Sequence, residues 1–548
     1  MEQLSGLDTF FISAEMHGMP MHISSLSIYD PSTSENGVVE FTDILQLFEE
    51  KIQNNVPALR KKLVQVPYNL DQPYWEEDPH FDLVYNIRHI ALPKPGTWQK
   101  LCSMVANLHA QPLNRNRPLW EMYVIDGLDS IEGIPTNAFA IMLKVHHAIM
   151  DGRTGMAIYS NLHTLSPKKE LRDKAANVKI QKIEKAAKPE ADKLPAVKNE
   201  GHLSSAGMFR KAYTNNLRKT GSLFKMAGKT ISLYTKVQLG LKTKELKSLE
   251  KPKTRFNGAI SPRRVVDRVR FSMEGINTIK SVFPTETLND VALTIIGGAL
   301  RTYLLSKGEL PEEDSLVAGV PIDVRTPDDE HKNGNMINFM NVSLRTDISE
   351  PLERLHVVHK EAEAGKAYAK TLGDDIVTDV LDNLYSGLVS WGVRTAVDSG
   401  IMGKFPPVNN TIVTNVPGYP CPVYMCGAQL IESFGMGPLI PNTGLFHTVA
   451  TTYDFLTIGV TACRQMMEDP SFYIQCLQES YDELYEASIA YREEQASEQK
   501  ENMKRAKPHL VKSSSSAKKS PKRKVEASKI QIDDESIETV EDIKNQAN

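Results

Sequence analysis

The hydrophobic positions of this chain follow two alternating periods. Short apolar runs typical of strands, such as Ala138–Val145, occur among segments with helical spacing, such as Phe41–Ile52 and Trp98–Leu108. The alternation returns in the second half, where the pattern predicts a strand over Val265–Phe271 and a helix over Leu288–Leu305. Strands that alternate with helices predict a mixed α/β protein, and both halves of the chain fit this class.

The length of 548 residues exceeds one ordinary hydrophobic core, so we expect two domains. Residues 166–201 are rich in Lys, Glu, Ala and Pro and contain few large apolar residues, which is typical of a linker. Apolar residues then recur at helical spacing from 209 to 241. The predicted organisation is an N-terminal domain over 1–165, a basic linker with an amphipathic helix over 166–255, a C-terminal domain over 256–495 and a disordered charged tail over 496–548.

The charge distribution is strongly uneven. The formal net charge is −4, yet the segment from Lys168 to Arg270 contains 27 Lys and Arg against 9 Asp and Glu. A basic amphipathic helix in this segment is typical of attachment to an anionic membrane surface or lipid droplet, or else of a helix packed on the domains. Both interpretations stay open. Aromatic residues do not interleave with the lysines of the tail, so we expect no nucleic-acid partner.

The cysteines, the first residues and the apolar runs of the chain indicate the cellular compartment of the protein. The five cysteines show no paired framework and no grouping with histidines, which favours a reducing compartment and no metal site. The first residues lack a basic stretch followed by a hydrophobic core, so no secretory signal is predicted. The apolar run Val291–Leu300 is far shorter than the ~20 residues that span a bilayer. We expect a cytoplasmic protein that associates peripherally with the inner face of the membrane or with lipid inclusions.

The most informative polar motif is the run HHAIMDG at residues 146–152. It follows the apolar run and precedes helical spacing from Gly152 to Leu165, so we expect it on a strand-to-helix loop. Side chains alternate along an extended chain, so His146 and His147 should point to opposite sides, which argues against a shared metal site. A histidine with a carboxylate at fixed spacing indicates an acyl-transfer site. The alternative is a core histidine with Asp151 capping the next helix.

Further motifs accompany the histidine motif in a fixed order. In the first half they are Leu7-Asp8, Pro20-Met21-His22, the stretch from Trp75 to Gly96, and Arg117-Pro118-Leu119-Trp120-Glu121. In the second half they are Phe256-Asn257-Gly258, Pro262-Arg263-Arg264, Asn289-Asp290, Asn415-Val416-Pro417-Gly418, and the stretch from Tyr453 to Gly459. With these motifs the chain resembles the bacterial wax ester synthases/diacylglycerol acyltransferases. That family lies in the superfamily of CoA-dependent acyltransferases that includes chloramphenicol acetyltransferase.

The resemblance implies both a fold and a reaction. The fold is α/β, with two chloramphenicol-acetyltransferase-like domains and the active site in a tunnel at their interface. The reaction moves a long-chain fatty acyl group from acyl-CoA to a fatty alcohol or a diacylglycerol, without a covalent acyl-enzyme. Acyl-CoA is a co-substrate, and neither a permanent cofactor nor a metal is implied. The chain departs from the family pattern at Asn86, usually a histidine, at Asn114, usually an aspartate, and at Asp454-Phe455.

The resemblance also implies roles for individual residues. His147 is the general base, His146 supports the site, and Asp151 orients the loop. Asn289 is a candidate oxyanion donor, although Asn289-Asp290 equally fits a helix cap. The candidate substrate-binding residues are Gly152, Trp120, Asn415, Pro417 and Gly418. Trp120 also fits a core tryptophan, and 415–418 also fits a turn.

Two other function classes remain possible from the sequence. One is a protein that coats a lipid droplet or membrane surface and uses the acyltransferase fold without turnover. The other is a condensation enzyme that takes acyl groups from a carrier protein. The histidine motif weighs against the first class, and the long-chain ester motifs weigh against the second.

Overall fold

Two six-stranded sheets form the framework of the protein. The computed structural model describes residues 1–16, 18–150, 152–167, 206–216, 251–323, 337–372 and 407–506, together with 395 and 399. The first sheet contains, in spatial order, β12 (Tyr424–Met425), β13 (Ala428–Met436), β2 (His22–Asp30), β7 (Phe139–His146), β6 (Trp120–Asp126) and β5 (Ile87–Ala91). The second contains β10 (Ile337–Ser343), β9 (Val317–Asp323), β11 (Thr411–Val416), β14 (Leu445–Thr451), β15 (Phe455–Cys463) and β8 (Arg264–Ser272).

Helices and a smaller sheet surround this framework. The smaller sheet contains β1 (Glu2–Gln3), β4 (Tyr74–Glu77) and β3 (Lys61–Val64). The helices are α1 (Gly6–Ala14), α2 (Phe41–Asn55), α3 (Leu83–Asn86), α4 (Trp98–Ala110), α5 (Gly152–Leu162), α6 (206–216), α7 (Met273–Lys280), α8 (Leu288–Ser306), α9 (Pro351–Leu372) and α10 (Pro470–Ala506). Short 3-10 helices span Pro31–Thr33, Pro57–Arg60 and Pro67–Asn69. The α/β fold class predicted from the sequence is confirmed.

The central strand β7 is covered on both faces, which explains its nearly continuous apolar sequence. Phe139 and Ile141 belong to the hydrophobic cluster that includes residues of α2 and α5, whereas Ala140 and Met142 belong to the cluster that includes residues of α4. Lys144 and His146 continue the second face by strand alternation. The motif therefore lies at the end of a strand that is buried between helices.

Two strands of the first sheet, β12 and β13, come from the second half of the chain. β13 pairs antiparallel with β2, so that Phe434 lies opposite Leu26. The predicted C-terminal domain over 256–495 thus contributes residues 424–436 to the sheet of the N-terminal domain. Thr448 of the second sheet donates its hydroxyl to the carbonyl oxygen of Gly435 at 2.8 Å. Residues 1–491 form one compact unit in which the sheets are joined in this way.

The linker and the tail differ from the sequence-based expectation in part. In α6, Met208 and Ala212 are buried against Val66 and Tyr74, so this segment packs on the first half. The disordered tail predicted over 496–548 is wrong for residues 496–506, because α10 continues to Ala506. This stretch is rich in Glu, Gln, Lys and Ala, which form helix without needing a buried face. Residues 168–205 and 217–250 of the linker and residues 507–548 of the tail lie outside the described residues. A further helix that the helical spacing of apolar residues predicts over Ile376–Val397 also lies there, apart from residue 395.

Within the described ranges, no helix combines the length and the apolar character that crossing a membrane requires.

Candidate active site

His146 holds the loop that follows β7 through both its backbone and its ring. Its backbone N–H donates to the carbonyl oxygen of Leu119 at 3.0 Å, and its carbonyl oxygen accepts from the N–H groups of Ile149 and Met150. The N–H of Ala148 donates to His146 Nδ1 at 3.1 Å. Three loop amides thus bind to one residue, and the chain turns tightly from strand to helix.

His147 lies on this turn and is held from two sides. Its N–H donates to the carbonyl oxygen of Met21 at 2.9 Å, and Phe11 of α1 stacks on its imidazole with 4.2 Å between the ring centroids. Burial lowers the pKa of His147 to about 4, although a hydrogen bond to its own backbone partly opposes this shift. The ring is therefore neutral at pH 7 and can accept a proton.

His146 is fully buried and faces a carboxylate. Burial lowers the pKa of His146 to about 3, and the charges of Arg115 and His147 act in the same direction. Since Nδ1 accepts the Ala148 N–H, the proton of the neutral ring lies on Nε2. His146 Nε2 lies 3.9 Å from Glu15 Oε2, and Arg115 Nη2 lies 2.8 Å from the same oxygen.

A buried polar cluster extends along the sheet from His146. His22 Nε2 lies 2.7 Å from the carbonyl oxygen of His109, and Ser24 Oγ lies 2.9 Å from His109 Nδ1. Burial lowers the pKa of His22 well below its usual value and that of His109 to about 3. The ammonium group of Lys144 is also buried, 3.4 Å from Glu121 Oε2, and burial lowers its pKa. The cluster holds neutral imidazoles beneath the loop.

The cluster also connects the two halves. His109 Nε2 lies 3.2 Å from the carbonyl oxygen of Gly437, which follows β13. Nearby, Arg264 Nη2 donates to the carbonyl oxygen of Gly18 at 2.8 Å, shortly before β2. The histidine loop therefore lies close to the contact between the first and second halves.

The structure describes some of the remaining motif residues and not others. Asp151 lies outside the described residues, and Gly152 begins α5. Asn289 lies in the first turn of α8, where Asp290 and Thr287 form a capping box. The helix-cap alternative thus holds for Asp290, which also accepts from His359 Nδ1 at 2.9 Å. The oxyanion role of Asn289 stays a prediction.

Trp120 occupies the core. Its side chain is fully buried between Phe48 and Phe81, and its Nε1–H donates to the carbonyl oxygen of Leu59 at 2.8 Å. This environment supports the core-tryptophan alternative. Asn86 donates its amide to the carbonyl oxygen of Trp120 at 2.6 Å. This residue, at which the sequence analysis expected a departure from the pattern that the resemblance implies, therefore contacts the strand bearing Trp120.

The segment 415–418 lies at the end of β11 and is exposed. Asn415 pairs with Val449 in the parallel register, and the Gly418 N–H donates to Thr451 Oγ1 at 2.9 Å. A Cβ atom on Gly418 would lie 1.6 Å from the Thr451 carbonyl oxygen, so only glycine fits. Asn415 and Val416 are still part of strand β11, and Pro417 and Gly418 follow it in an irregular segment. The turn alternative is therefore wrong, and substrate binding by Asn415, Pro417 and Gly418 stays a prediction.

Sequence analysis missed the three residues around the histidines, which are Phe11, Glu15 and Arg115. The spacing of Phe11 and Glu15 places them on one helical face, and this signal was present in the sequence. The contact with Arg115, a hundred residues away, has no local signature. No group of three or more His, Cys, Asp or Glu suited to a metal ion occurs within the described part of the chain.

The site and fold together define a two-sheet protein with a neutral histidine on a strand-to-helix turn, an arrangement suited to general-base chemistry. The model of the wax ester synthase/diacylglycerol acyltransferase catalytic domain matches residues 4–292, and that of the family's C-terminal domain matches residues 333–485. The chain therefore belongs to the wax ester synthase/diacylglycerol acyltransferase family.

Individual relatives agree with this assignment. A Mycobacterium tuberculosis protein provisionally named diacylglycerol O-acyltransferase is 29% identical over 89% of this chain and 91% of its own length. O-acyltransferase WSD of Acinetobacter baylyi is 27% identical over 90% of this chain and 99% of its own. The solved wax ester synthase/diacylglycerol acyltransferase of Marinobacter aquaeolei VT8 shares the fold with a TM-score of 0.58 and 22% identity, over 89% of this chain and 99% of that one.

Proposed function

We propose that this protein is an acyl-CoA-dependent O-acyltransferase that moves a long-chain fatty acyl group to a fatty alcohol, a diacylglycerol or both. The observation that carries the proposal is the neutral His147, held on its turn in a chain of this family. The products are a wax ester or a triacylglycerol. The relatives named as diacylglycerol O-acyltransferase and O-acyltransferase WSD support the reaction class.

His147 acts as the general base in this mechanism. The acceptor hydroxyl has a pKa far above 7, so its proton must leave as the oxygen attacks the thioester carbonyl; a positioned imidazole contributes about 10²–10⁴-fold. The proton passes to His147, and the tetrahedral intermediate collapses with release of CoA as the thiolate. His147 then returns the proton to the CoA sulfur. No bond forms between the acyl group and the protein.

The other predicted residues complete the site in this proposal. His146 shapes the turn, Asp151 orients the loop, and Gly152 lets the helix begin close to it. Asn289 donates to the oxyanion, a contact worth about 3–4 kcal/mol in comparable sites. In this proposal Gly152, Asn415, Pro417 and Gly418 border a tunnel between the two domains, whereas Trp120, which is buried in the core, supports the strand that bears it.

The proposal includes attachment to an anionic lipid surface through α6. Met208 and Ala212 anchor the helix, while Phe209 and Tyr213 on its other face are 49% and 62% exposed. Exposed aromatic rings on a basic helix favour an interfacial position beside anionic headgroups. A Phe209→Ser, Tyr213→Ser variant should bind vesicles containing phosphatidylglycerol more weakly, and salt should weaken wild-type binding. Unchanged binding would remove this part of the proposal.

The reaction is tested with purified protein, palmitoyl-CoA, and either hexadecanol or dioleoylglycerol. Free CoA and ester are followed together, with His147→Ala as control. Acceptor-dependent ester formation that is lost in the variant would support the transferase and rank the acceptors. Lipid binding without any ester would instead favour a surface protein on the same fold. Preference for an acyl carrier protein over palmitoyl-CoA would favour the condensation alternative.

A further inference from the structure

The first helix contributes a side chain to each histidine of the loop. Phe11 stacks on His147, and Glu15 Oε2 lies 3.9 Å from His146 Nε2. Phe11 and Glu15 are four residues apart at the C-terminal end of α1, so they project from one face. One helix end therefore touches both imidazoles.

Arg115 fixes this helix end. Its Nε and Nη2 donate to Glu15 Oε2 at 2.9 and 2.8 Å, and Nη2 also donates to the carbonyl oxygen of Ile12 at 2.9 Å. The last carbonyl groups of a helix carry partial negative charge, and a cation there is stabilising. The Glu15 side chain is only 5% exposed, so its charge needs a close partner. Arg115 satisfies both requirements at once.

Glu15 in turn faces the proton on His146. Ala148 donates to Nδ1, which leaves the Nε2–H of the neutral ring directed towards the carboxylate. Within the described residues, neither His146 Nε2 nor Glu15 Oε1 has a hydrogen-bond partner, and both atoms are buried. The separation of 3.9 Å is too long for a hydrogen bond, so the Ala148 N–H fixes the tautomer, and the Glu15 charge acts on the orientation of the ring through electrostatic attraction to the Nε2–H.

We propose that Arg115 and Glu15 are positioning residues for acyl transfer: Arg115 fixes the Glu15 carboxylate, Glu15 orients His146, and the His146 ring sets the turn that presents His147. This inference rests on the proposed function for its kinetic consequence alone. A displacement of about 1 Å at the base can cost about 100-fold in rate. The His146 ring reaches the turn directly, because its Nδ1 accepts the N–H of Ala148, the residue after His147, while the backbone carbonyl of His146 accepts the amides of Ile149 and Met150.

The test compares Glu15→Gln, Arg115→Met, Arg115→Lys and the double variant Glu15→Gln, Arg115→Met. Arg60→Met and Glu77→Gln serve as matched controls, because these residues form a more exposed Arg–Glu pair at 3.2 Å in the same half. For each variant kcat, KM, melting temperature and folded fraction are measured. Crystal structures of wild type and Glu15→Gln compare the orientations of the His146 and His147 rings.

We expect Glu15→Gln and Arg115→Met to lower kcat at least about 10-fold with KM within twofold, and the double variant to be no slower than the slower single variant. Arg115→Lys should recover part of the loss, and the controls should keep wild-type kcat.

A lower melting temperature with unchanged kcat per folded molecule would overturn the proposal. If Arg115→Met does not fold, the kcat values of Glu15→Gln and Arg115→Lys test the positioning role instead. If wild type forms no ester, the proposed function fails, and unchanged ring orientations in Glu15→Gln would separately overturn the positioning role.

Discussion

Two buried histidine sites, one in each half of the molecule, show how differently the same side chain is used. His447 of β14 has a hydroxyl partner at each ring nitrogen, Thr411 Oγ1 at 2.9 Å and Tyr473 Oη at 2.8 Å. His146 has one nitrogen bound by a loop amide and the other facing Glu15 at 3.9 Å. Both rings are buried and neutral, with a pKa of about 3 caused by burial.

The difference lies in what surrounds each ring. His447 lies in mid-strand, and its partners come from the core of its own half, so its hydrogen bonds hold that core together. His146 and His147 end a strand, and their partners are a loop, a helix end and a charge pair. Burial and a lowered pKa alone therefore do not mark a catalytic histidine. In the proposed mechanism, the position of His147 at a strand end, beside a turn that other elements fix, is the feature that distinguishes it from His447.

The largest expected effect is the different response of the two sites when glutamine replaces the histidine. His147→Gln should lower kcat per folded molecule about 10²–10⁴-fold, because it removes the base, and should also lower stability, because the buried ring stacked on Phe11 is lost. His447→Gln should lower the free energy of unfolding by about 1–3 kcal/mol, because two buried hydroxyls lose a partner, and keep kcat per folded molecule within threefold. Steady-state kinetics with urea unfolding measures both. A large loss of kcat per folded molecule in His447→Gln would contradict the purely structural role of His447.

Acid should destabilise both sites together. Burial lowers the pKa of His109, His146 and His447 to about 3, and that of His147 and His163 to about 4, from 6.5. Below pH 6.5 the unfolded chain binds protons that the folded protein excludes, so stability falls as pH drops from 6.5 towards 4. Each histidine contributes at most about 1.4 kcal/mol per pH unit. Urea midpoints from pH 7.5 to 4.5 measure the effect, and a constant midpoint would contradict it.

A smaller effect tests the segment 415–418, where β11 ends. Gly418→Ala places a Cβ against the Thr451 carbonyl oxygen and should cost about 3 kcal/mol through a forced backbone shift. Gly258→Ala is the control, because its Cβ would lie 3.8 Å from Met466. Melting temperatures of both variants measure the cost. If this segment also binds substrate, KM should rise in Gly418→Ala alone. Equal stability of the two variants would show that the segment accommodates the methyl group.

The smallest effect concerns Trp120. Trp120→Phe removes the donor to the Leu59 carbonyl oxygen and should lower the free energy of unfolding by about 1–2 kcal/mol, with kcat and KM unchanged per folded molecule. Urea unfolding and kinetics decide between its two interpretations. A raised KM with unchanged stability would favour a direct substrate contact.

The sequence predicted the parts of this molecule that depend on local pattern. The apolar run of β7 and the spacing in α4 reflect burial of neighbouring residues, so these elements were found within two residues of their observed ends. The pairing of β13 with β2 joins residues about 400 positions apart and leaves no local trace. The Arg115–Glu15 pair was missed for the same reason. The disordered tail was predicted to begin too early, at residue 496, because the last residues of α10 form helix by propensity rather than by burial.

The most direct test of the central claim, that the neutral His147 is the base, is the dependence of kcat/KM on pH. The pKa of the free enzyme governs this profile, so it should stay flat from pH 8 to about 5 and fall only as His147 is protonated, near pH 4. Circular dichroism at each pH ensures that only folded protein is compared. The residual activity of His147→Gln should lack this limb. An acid limb centred near pH 6.5, or one that persists in His147→Gln, would contradict the account.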